Sequence, residues 1–260
     1  MVLAALLWGL FFISGCAGSL PNLQPLNTTE YHETERLRAQ LLQNRTPQQL
    51  DADIVLGWQG YGQTRQVSGG LQASAKGAFR LTVPDPLGRP LLLLVADAQG
   101  FTLIDNQQGH AYTGPVWNHY VTQYIPTRLP MDLLFSLLVD RFPDQKPRSM
   151  YRDDSRQHAY WYVFDLADGL RHMVMAEANS PLPIRQLLLA QDKTILLDFA
   201  YTGQNRLTAS TLLPGQLTIT GDKLPGEFQI DFQTLYPEPQ FSGDIFHIRV
   251  PPHFDLEEVH

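Results

Sequence analysis

The chain has 260 residues, of which 43% are hydrophobic and 17% are charged, and its net charge is −7. This length is sufficient for one large domain or two small ones with a substantial core. The negative charge and the lack of a basic run argue against nucleic acid as a partner, because phosphate binding requires clustered lysine and arginine side chains.

The first segment is apolar from Val2 to Gly15 and ends in small residues, which is typical of an export signal. The four residues Ile13-Ser14-Gly15-Cys16 resemble a bacterial lipobox, in which the cysteine becomes the lipid-modified N-terminus. Cys16 is the only cysteine, so neither an internal disulfide nor a cysteine-based metal site is expected. The alternative is a structural cysteine buried in an N-terminal helix.

Two features next to the lipobox concern location. No lysine or arginine precedes the apolar segment, which departs from the usual export signal. Ala17 follows the cysteine, in place of the aspartate that retains some lipoproteins in the inner membrane. The resemblance therefore implies a lipid anchor at the periplasmic face of the bacterial outer membrane. We predict a signal peptide over residues 1–15, the lipidated cysteine and a tether over 16–28, and a single domain over 29–260.

The domain opens with a predicted helix. Thr28 or Thr29 is placed to cap it, and leucines at helical spacing continue it to about Asn44. Residues 53–66 then predict one strand that bends at its glycines, followed by a turn at Gly69-Gly70.

The stretch from Phe79 to Gly114 alternates short apolar runs with tight turns, which is the pattern of an antiparallel meander. Its first turn contains Leu87 between Pro86 and Gly88, where a polar residue is usual. An apolar residue at a loop tip either makes a small contact with the core or contacts something apolar outside the protein.

Residues 115–144 change to helical spacing and predict two short helices, the second beginning at Pro130. A polar, mobile loop is predicted over residues 144–157, and strands joined by hairpin turns follow from residue 158. The pattern gives a mainly β protein with helices (α+β) and about ten strands. An antiparallel sheet of this size must curl or close, and the helices are placed to cover its open face.

No catalytic constellation is present in the sequence. The glycines between Gly57 and Gly62 are not followed by a helix, so they do not form a phosphate-binding loop. Histidines such as His110 and His119 lack a carboxylate partner in register, which argues against a metal site. A hydrolase needs two or three groups in mutual reach, and the sequence singles out no such set. We predict no enzyme activity, no cofactor and no metal.

Some strands are apolar on both faces, notably Pro90 to Ala96 and Leu187 to Ala190. A strand in a half-exposed sheet should alternate. Either helices simply cover the second face, or that face lines a hydrophobic cavity suited to acyl chains. The candidate cavity-lining residues are large apolar side chains of the strands and of the leucine-rich helix: Trp58, Leu81, Leu91, Leu93, Leu103, Leu134 and Leu138.

The stretch Leu81 to Gly88, the apolar strand after it, and then Thr102 to Asn106 with Gly109 and Tyr112-Thr113 resemble the LolB family of outer-membrane lipoprotein receptors. Residues 125–138 resemble the helical segment of the same family. The resemblance implies an unclosed, strongly curved antiparallel β-barrel whose apolar interior is covered by helices. It also implies a receptor that accepts acylated lipoproteins from a periplasmic carrier and inserts them into the outer membrane.

By position, Leu87 corresponds to the protruding apolar residue with which the family contacts the membrane. The C-terminal stretch Tyr236 to His260 departs from the receptor and resembles the ending of the related carriers. The alternative function is an anchored structural or assembly lipoprotein whose curved sheet is a scaffold for protein partners. A cavity filled by the protein's own side chains would favour that alternative.

Overall fold

The computed structural model describes residues 20–125, 128–237, 239–241 and 243–260; the predicted signal peptide and Cys16 lie outside them. Within these ranges, fifteen β-strands form one sheet. The strands are β1 (Leu23–Gln24), β2 (Gln49–Gly60), β3 (Gln63–Ser74), β4 (Ala78–Pro84), β5 (Pro90–Ala96), β6 (Phe101–Asp105), β7 (His110–Gly114), β8 (Ser149–Asp153), β9 (Ala159–Asp165), β10 (Arg171–Glu177), β11 (Arg185–Leu189), β12 (Ile195–Thr208), β13 (Thr211–Thr220), β14 (Glu227–Leu235) and β15 (Asp255–Glu258). The helices are α1 (Thr28–Leu41), α2 (His119–Thr122) and α3 (Met131–Leu138).

The sheet is long, curved and unclosed. Its strand order is β1-β8-β9-β10-β11-β12-β13-β14-β2-β3-β4-β5-β6-β7-β15, so β1 and β15 are two separate edges. Leu71 of β3 and Leu188 of β11 belong to the same core cluster, although four other strands lie between β3 and β11 in the sheet. The sheet must therefore curl around that cluster. The mainly β, unclosed architecture is confirmed, whereas the prediction of about ten strands is wrong.

Helix α1 covers one end of the concave face. Asn27 and Glu30 form a capping box, in which each side chain accepts a hydrogen bond of 2.9 Å from the other's backbone N–H. Leu37 and Leu41 pack against the aromatic residues of β9. The preceding segment is not only a tether, because Leu23 and Gln24 pair with β8 and so join the sheet.

Helix α3 covers the middle of the concave face and begins at Met131, one residue after the predicted start, with Pro130 as its N-cap. Phe135, Leu137 and Leu138 are buried in the core cluster together with Leu50 and Ile54 of β2. The centre of the curved sheet is therefore filled by the protein's own side chains.

Residues 49–74 form a hairpin, whereas the sequence predicted one bent strand and a later turn. The turn lies at Tyr61-Gly62, whose φ angles are 49° and 73°. Gly69 lies within β3, where an added Cβ would come within 2.7 Å of the Thr82 carbonyl oxygen. The prediction failed because glycine serves both tight turns and close backbone approach, and the sequence does not distinguish these uses.

The C-terminal segment explains why β5 is apolar on both faces. Val95 of β5 and Ile104 of β6 are buried on the outer face. The segment reaches that face near Gly243–Phe246, where the Arg80 guanidinium donates to the Ile245 carbonyl oxygen at 2.6 Å. Strand β15 then pairs with β7 in parallel. The predicted mobile loop over 144–157 is also corrected, since it contains β8.

Candidate functional site

The concave face is filled at the end near α3 and half-exposed toward the β2–β3 turn. Trp58 of β2 pairs with Phe228 of β14, and Leu56 pairs with Ile230. All four side chains are at least partly accessible, and Phe228 is 36% exposed. We call the following half-exposed side chains on this face the open apolar surface: Leu56, Trp58, Leu81, Leu94, Leu103, Ile219, Phe228 and Ile230.

Most predicted lining residues lie on the concave face. Leu81 pairs with Leu94, which pairs with Leu103, so these three side chains point to the same side. Leu134 packs against the core cluster from α3, and Leu138 is buried within that cluster. Trp58 lies on the same face at the more exposed end.

Leu91 and Leu93 lie on the outer face, so the prediction of cavity lining is corrected for them. Leu93 pairs with Thr82 and Ile104, one position out of phase with Leu94. Successive side chains of a strand point to opposite faces. A run of four leucines contains no polar residue that would show which of them face outward. Only the strand register shows that Leu94 lies on the concave face. Phe228 is placed there by the pairing of β14 with β2, which are far apart in the sequence.

Leu87 is 78% exposed at the tip of the β4–β5 turn. The turn is well ordered by Asp85, whose carboxylate accepts from the backbone N–H of Leu87 at 2.8 Å and from that of Arg89 at 2.9 Å. The Arg89 guanidinium also donates to Asp85 at 2.8 Å. These bonds, first of all the one from the Arg89 backbone, lower the pKa of the Asp85 carboxyl. The loop therefore presents an apolar side chain on a fixed support.

A buried polar chain holds the end of α3 against the sheet. The Gln186 amide donates to the Asp140 carboxyl at 2.8 Å, and its oxygen accepts from His172 Nε2 at 2.7 Å. Burial raises the pKa of Asp140 well above its ordinary value and lowers the pKa of His172 to about 4. Both shifts favour the neutral form of the group, and the hydrogen bonds join the end of α3 to β10 and β11.

Among the residues that the structure describes, no three histidine, cysteine, aspartate or glutamate side chains are grouped so that they could hold a metal ion. In the same part of the chain, no helix has the length and apolar character needed to cross a bilayer.

No protein-family model and no curated protein matches the chain. Solved structures do share its fold. A DUF1329 family protein from Desulfovibrio piger is 9% identical with a TM-score of 0.55, covering 84% of this chain and 96% of its own. A LolA superfamily protein from Nitrosomonas europaea is 9% identical with a TM-score of 0.51, and the match covers 82% of this chain and 97% of that protein. An outer-membrane lipoprotein-sorting protein domain from Vibrio parahaemolyticus is 7% identical with a TM-score of 0.52, covering 83% and 95%. The chain therefore has the fold of LolA-superfamily and DUF1329 proteins.

Proposed function

We propose that this protein is a LolB-like lipoprotein, anchored to the outer membrane through Cys16, that binds acyl chains of lipoproteins or lipids and helps to insert lipoproteins into that membrane. The observation that carries the proposal is the open apolar surface, a set of partly accessible apolar side chains on the concave face of the sheet. The fold that the protein shares with a lipoprotein-sorting domain supports the same assignment. The cargo would come from a periplasmic lipoprotein carrier.

Transfer would be driven by the burial of hydrocarbon. No covalent bond is made or broken. Each buried CH₂ group contributes about 0.8 kcal/mol, so a small difference in buried chain length between two proteins sets the direction of transfer. Trp58 and Phe228 are suited to this contact because a large ring contributes much apolar area with few rotatable bonds. At the end of the route, Leu87 would contact the bilayer and favour release there.

The test is binding of a fluorescent acyl probe to the chain from Ala17 onward, with native mass spectrometry for co-purified lipid. We expect saturable binding that a triacylated lipopeptide displaces. Phe228→Gln should weaken binding roughly tenfold, which corresponds to about 1.4 kcal/mol. Leu256→Gln is the matched control, because Leu256 is also exposed but lies on β15, away from the open apolar surface. Binding that is absent, or equally affected by both variants, would contradict the proposal.

A second candidate is an anchored scaffold for protein partners. The observation that favours it is the filled centre of the concave face, where Phe135 and Leu137 of α3 are buried. A scaffold needs no free apolar volume, so a folded protein that binds no acyl probe would support this function in place of the first.

A further inference from the structure

One end of the curved sheet carries two exposed apolar tips. Strands β2 and β4 run in the same direction, so the β2–β3 turn and the β4–β5 turn lie at the same end. The two most exposed large hydrophobic residues of the described chain are Tyr61, in the first turn, and Leu87, in the second, at 84% and 78%. The function proposed above uses Leu87 and leaves Tyr61 without a role.

The backbone at Tyr61 does not favour tyrosine. Tyr61 and Gly62 have φ angles of 49° and 73°, which is the mirror-image type of hairpin turn. Asparagine, aspartate and glycine are the residues that adopt this conformation readily, and a tyrosine in it is strained. Its ring lies 6.5 Å from the Trp58 ring and is not buried. The contact with the Trp58 ring therefore covers little of the side chain, and the turn geometry does not explain it either, so an external contact is indicated.

The hairpin also projects beyond its neighbour. The first pair between β3 and β4 is Gly70 with Thr82, and β4 ends at Pro84, so residues 63–67 of β3 extend past the end of β4. On the other side of the hairpin, β2 is paired with β14 as far as Gln59. Residues 59–64 contain no charged side chain, and Arg65 follows them without an ion pair among the described residues. The neighbouring strand β14 places the exposed Glu227 beside Gln59. A tyrosine at the tip with the Arg65 cation behind it matches the interface of a phospholipid bilayer, where the ring sits among headgroups and the cation meets phosphate.

We infer that the tip of the β2–β3 hairpin is a second membrane contact, with Tyr61 inserted at the headgroup level of a phospholipid bilayer beside Leu87. This inference rests on the proposed function, because it names how the delivering end meets its membrane. Two separate contacts fix the tilt of the sheet, which a single loop does not. Trp58 and Phe228 lie next to the same end, so that tilt directs the open apolar surface toward the bilayer.

The test uses the full chain in phospholipid vesicles that contain nitroxide-labelled lipids. Single cysteines replace Tyr61, Leu87 or Tyr120 and carry an environment-sensitive fluorophore; the unsubstituted chain reports any labelling of Cys16. Tyr120 is the matched control, because it is 55% exposed after β7, at the opposite end of the sheet. We expect blue-shifted emission and quenching at positions 61 and 87, and neither change at position 120.

The outcomes separate this inference from the proposed function. Quenching at position 87 without quenching at 61 overturns the inference and leaves the proposed function intact. Quenching at 61 in a protein that binds no acyl probe supports the membrane contact and removes the proposed cargo. A second pair of variants checks the effect of the label: Tyr61→Asn should slow lipopeptide transfer to vesicles several-fold, and Tyr61→Trp should retain it. Equal transfer by both variants would also overturn the inference.

Discussion

At the scale of single residues, Leu87 separates cargo binding from membrane delivery. We expect Leu87→Glu to abolish transfer of a lipopeptide to vesicles, because a carboxylate is excluded from hydrocarbon. Acyl-probe binding should be unchanged, since Leu87 is not part of the open apolar surface. The free energy of unfolding should change by less than about 0.5 kcal/mol at so exposed a position. Leu256→Glu on β15 is the control, and delivery that survives the Leu87 change would rule out the role of this loop.

Tyr61 allows stability and function to be separated in the same way. Tyr61→Asn places a residue that tolerates the left-handed region at φ 49°. We therefore expect the free energy of unfolding to rise by up to about 1 kcal/mol. Urea titrations of the two proteins measure the difference, with Tyr61→Ala as a variant that removes the ring without the backbone benefit. A loss of stability in Tyr61→Asn would show that the ring contributes to the fold itself.

At the scale of elements, the C-terminal end of α3 is joined to the sheet by buried polar groups whose pKa values are shifted by burial. Asp140 has a φ of 54°, which asparagine also adopts, and its Oδ2 has no hydrogen-bond partner among the described residues. Its pKa is raised by burial, so the folded protein retains a proton that the unfolded chain loses above about pH 3.8. This group therefore lowers stability as the pH rises from about 3.8 through its raised pKa.

Asp140→Asn should remove that penalty while keeping the acceptor for Gln186. We expect the variant to be more stable than the unsubstituted protein at pH 7 and equally stable below about pH 3.8, where aspartate is protonated in both states. Asp140→Ala is the contrasting variant, because it leaves the Gln186 amide only its 3.5 Å hydrogen bond to the Arg141 carbonyl oxygen and should cost about 1–3 kcal/mol. Urea unfolding at the two pH values measures both effects. An equal difference at both pH values would contradict the assigned protonation.

His172 changes the pH dependence of stability in the opposite direction to Asp140. Its pKa is lowered to about 4, so the unfolded chain takes up a proton first as the pH falls. Its contribution to stability is present above about pH 6.5 and is lost as the pH falls toward 4, by about 3 kcal/mol in total. His172→Gln should abolish this dependence, which urea unfolding between pH 7 and pH 4 would show. A variant with the same slope as the unsubstituted protein would refute it.

The elements differ in how well the sequence predicts them. Strands β9 to β14 follow from apolar runs separated by turn residues, and α3 follows from Pro130 and its leucines. The short edge strands β1 and β15 do not, because two or four residues have no period to detect and their pairing is set by distant segments. The open apolar surface was only partly predictable. The run Leu91 to Leu94 does not show which leucines face the core, and Phe228 meets Trp58 through a pairing of strands that are far apart in the sequence.

At the scale of the whole molecule, an unclosed sheet has two edges that must be protected from pairing with other chains. The C-terminal segment protects the edge at β7, where β15 pairs in parallel. The approach is close, since a Cβ on Gly114 would lie 2.1 Å from the Val259 carbonyl oxygen. Val259 itself is buried. The segment that resembles the carriers is thus an integral part of the fold.

Removal of residues 253–260 should therefore expose the backbone N–H and C=O groups of β7. We expect a lower thermal midpoint and concentration-dependent self-association, because an unpaired strand edge is a template for another strand. Size-exclusion chromatography with light scattering measures the association. Leu256→Lys in the full-length protein is the control, since it keeps the pairing of β15 and adds charge at an exposed position. A truncated protein that stays monomeric with an unchanged midpoint would mean that the curvature of the sheet, and not β15, protects this edge.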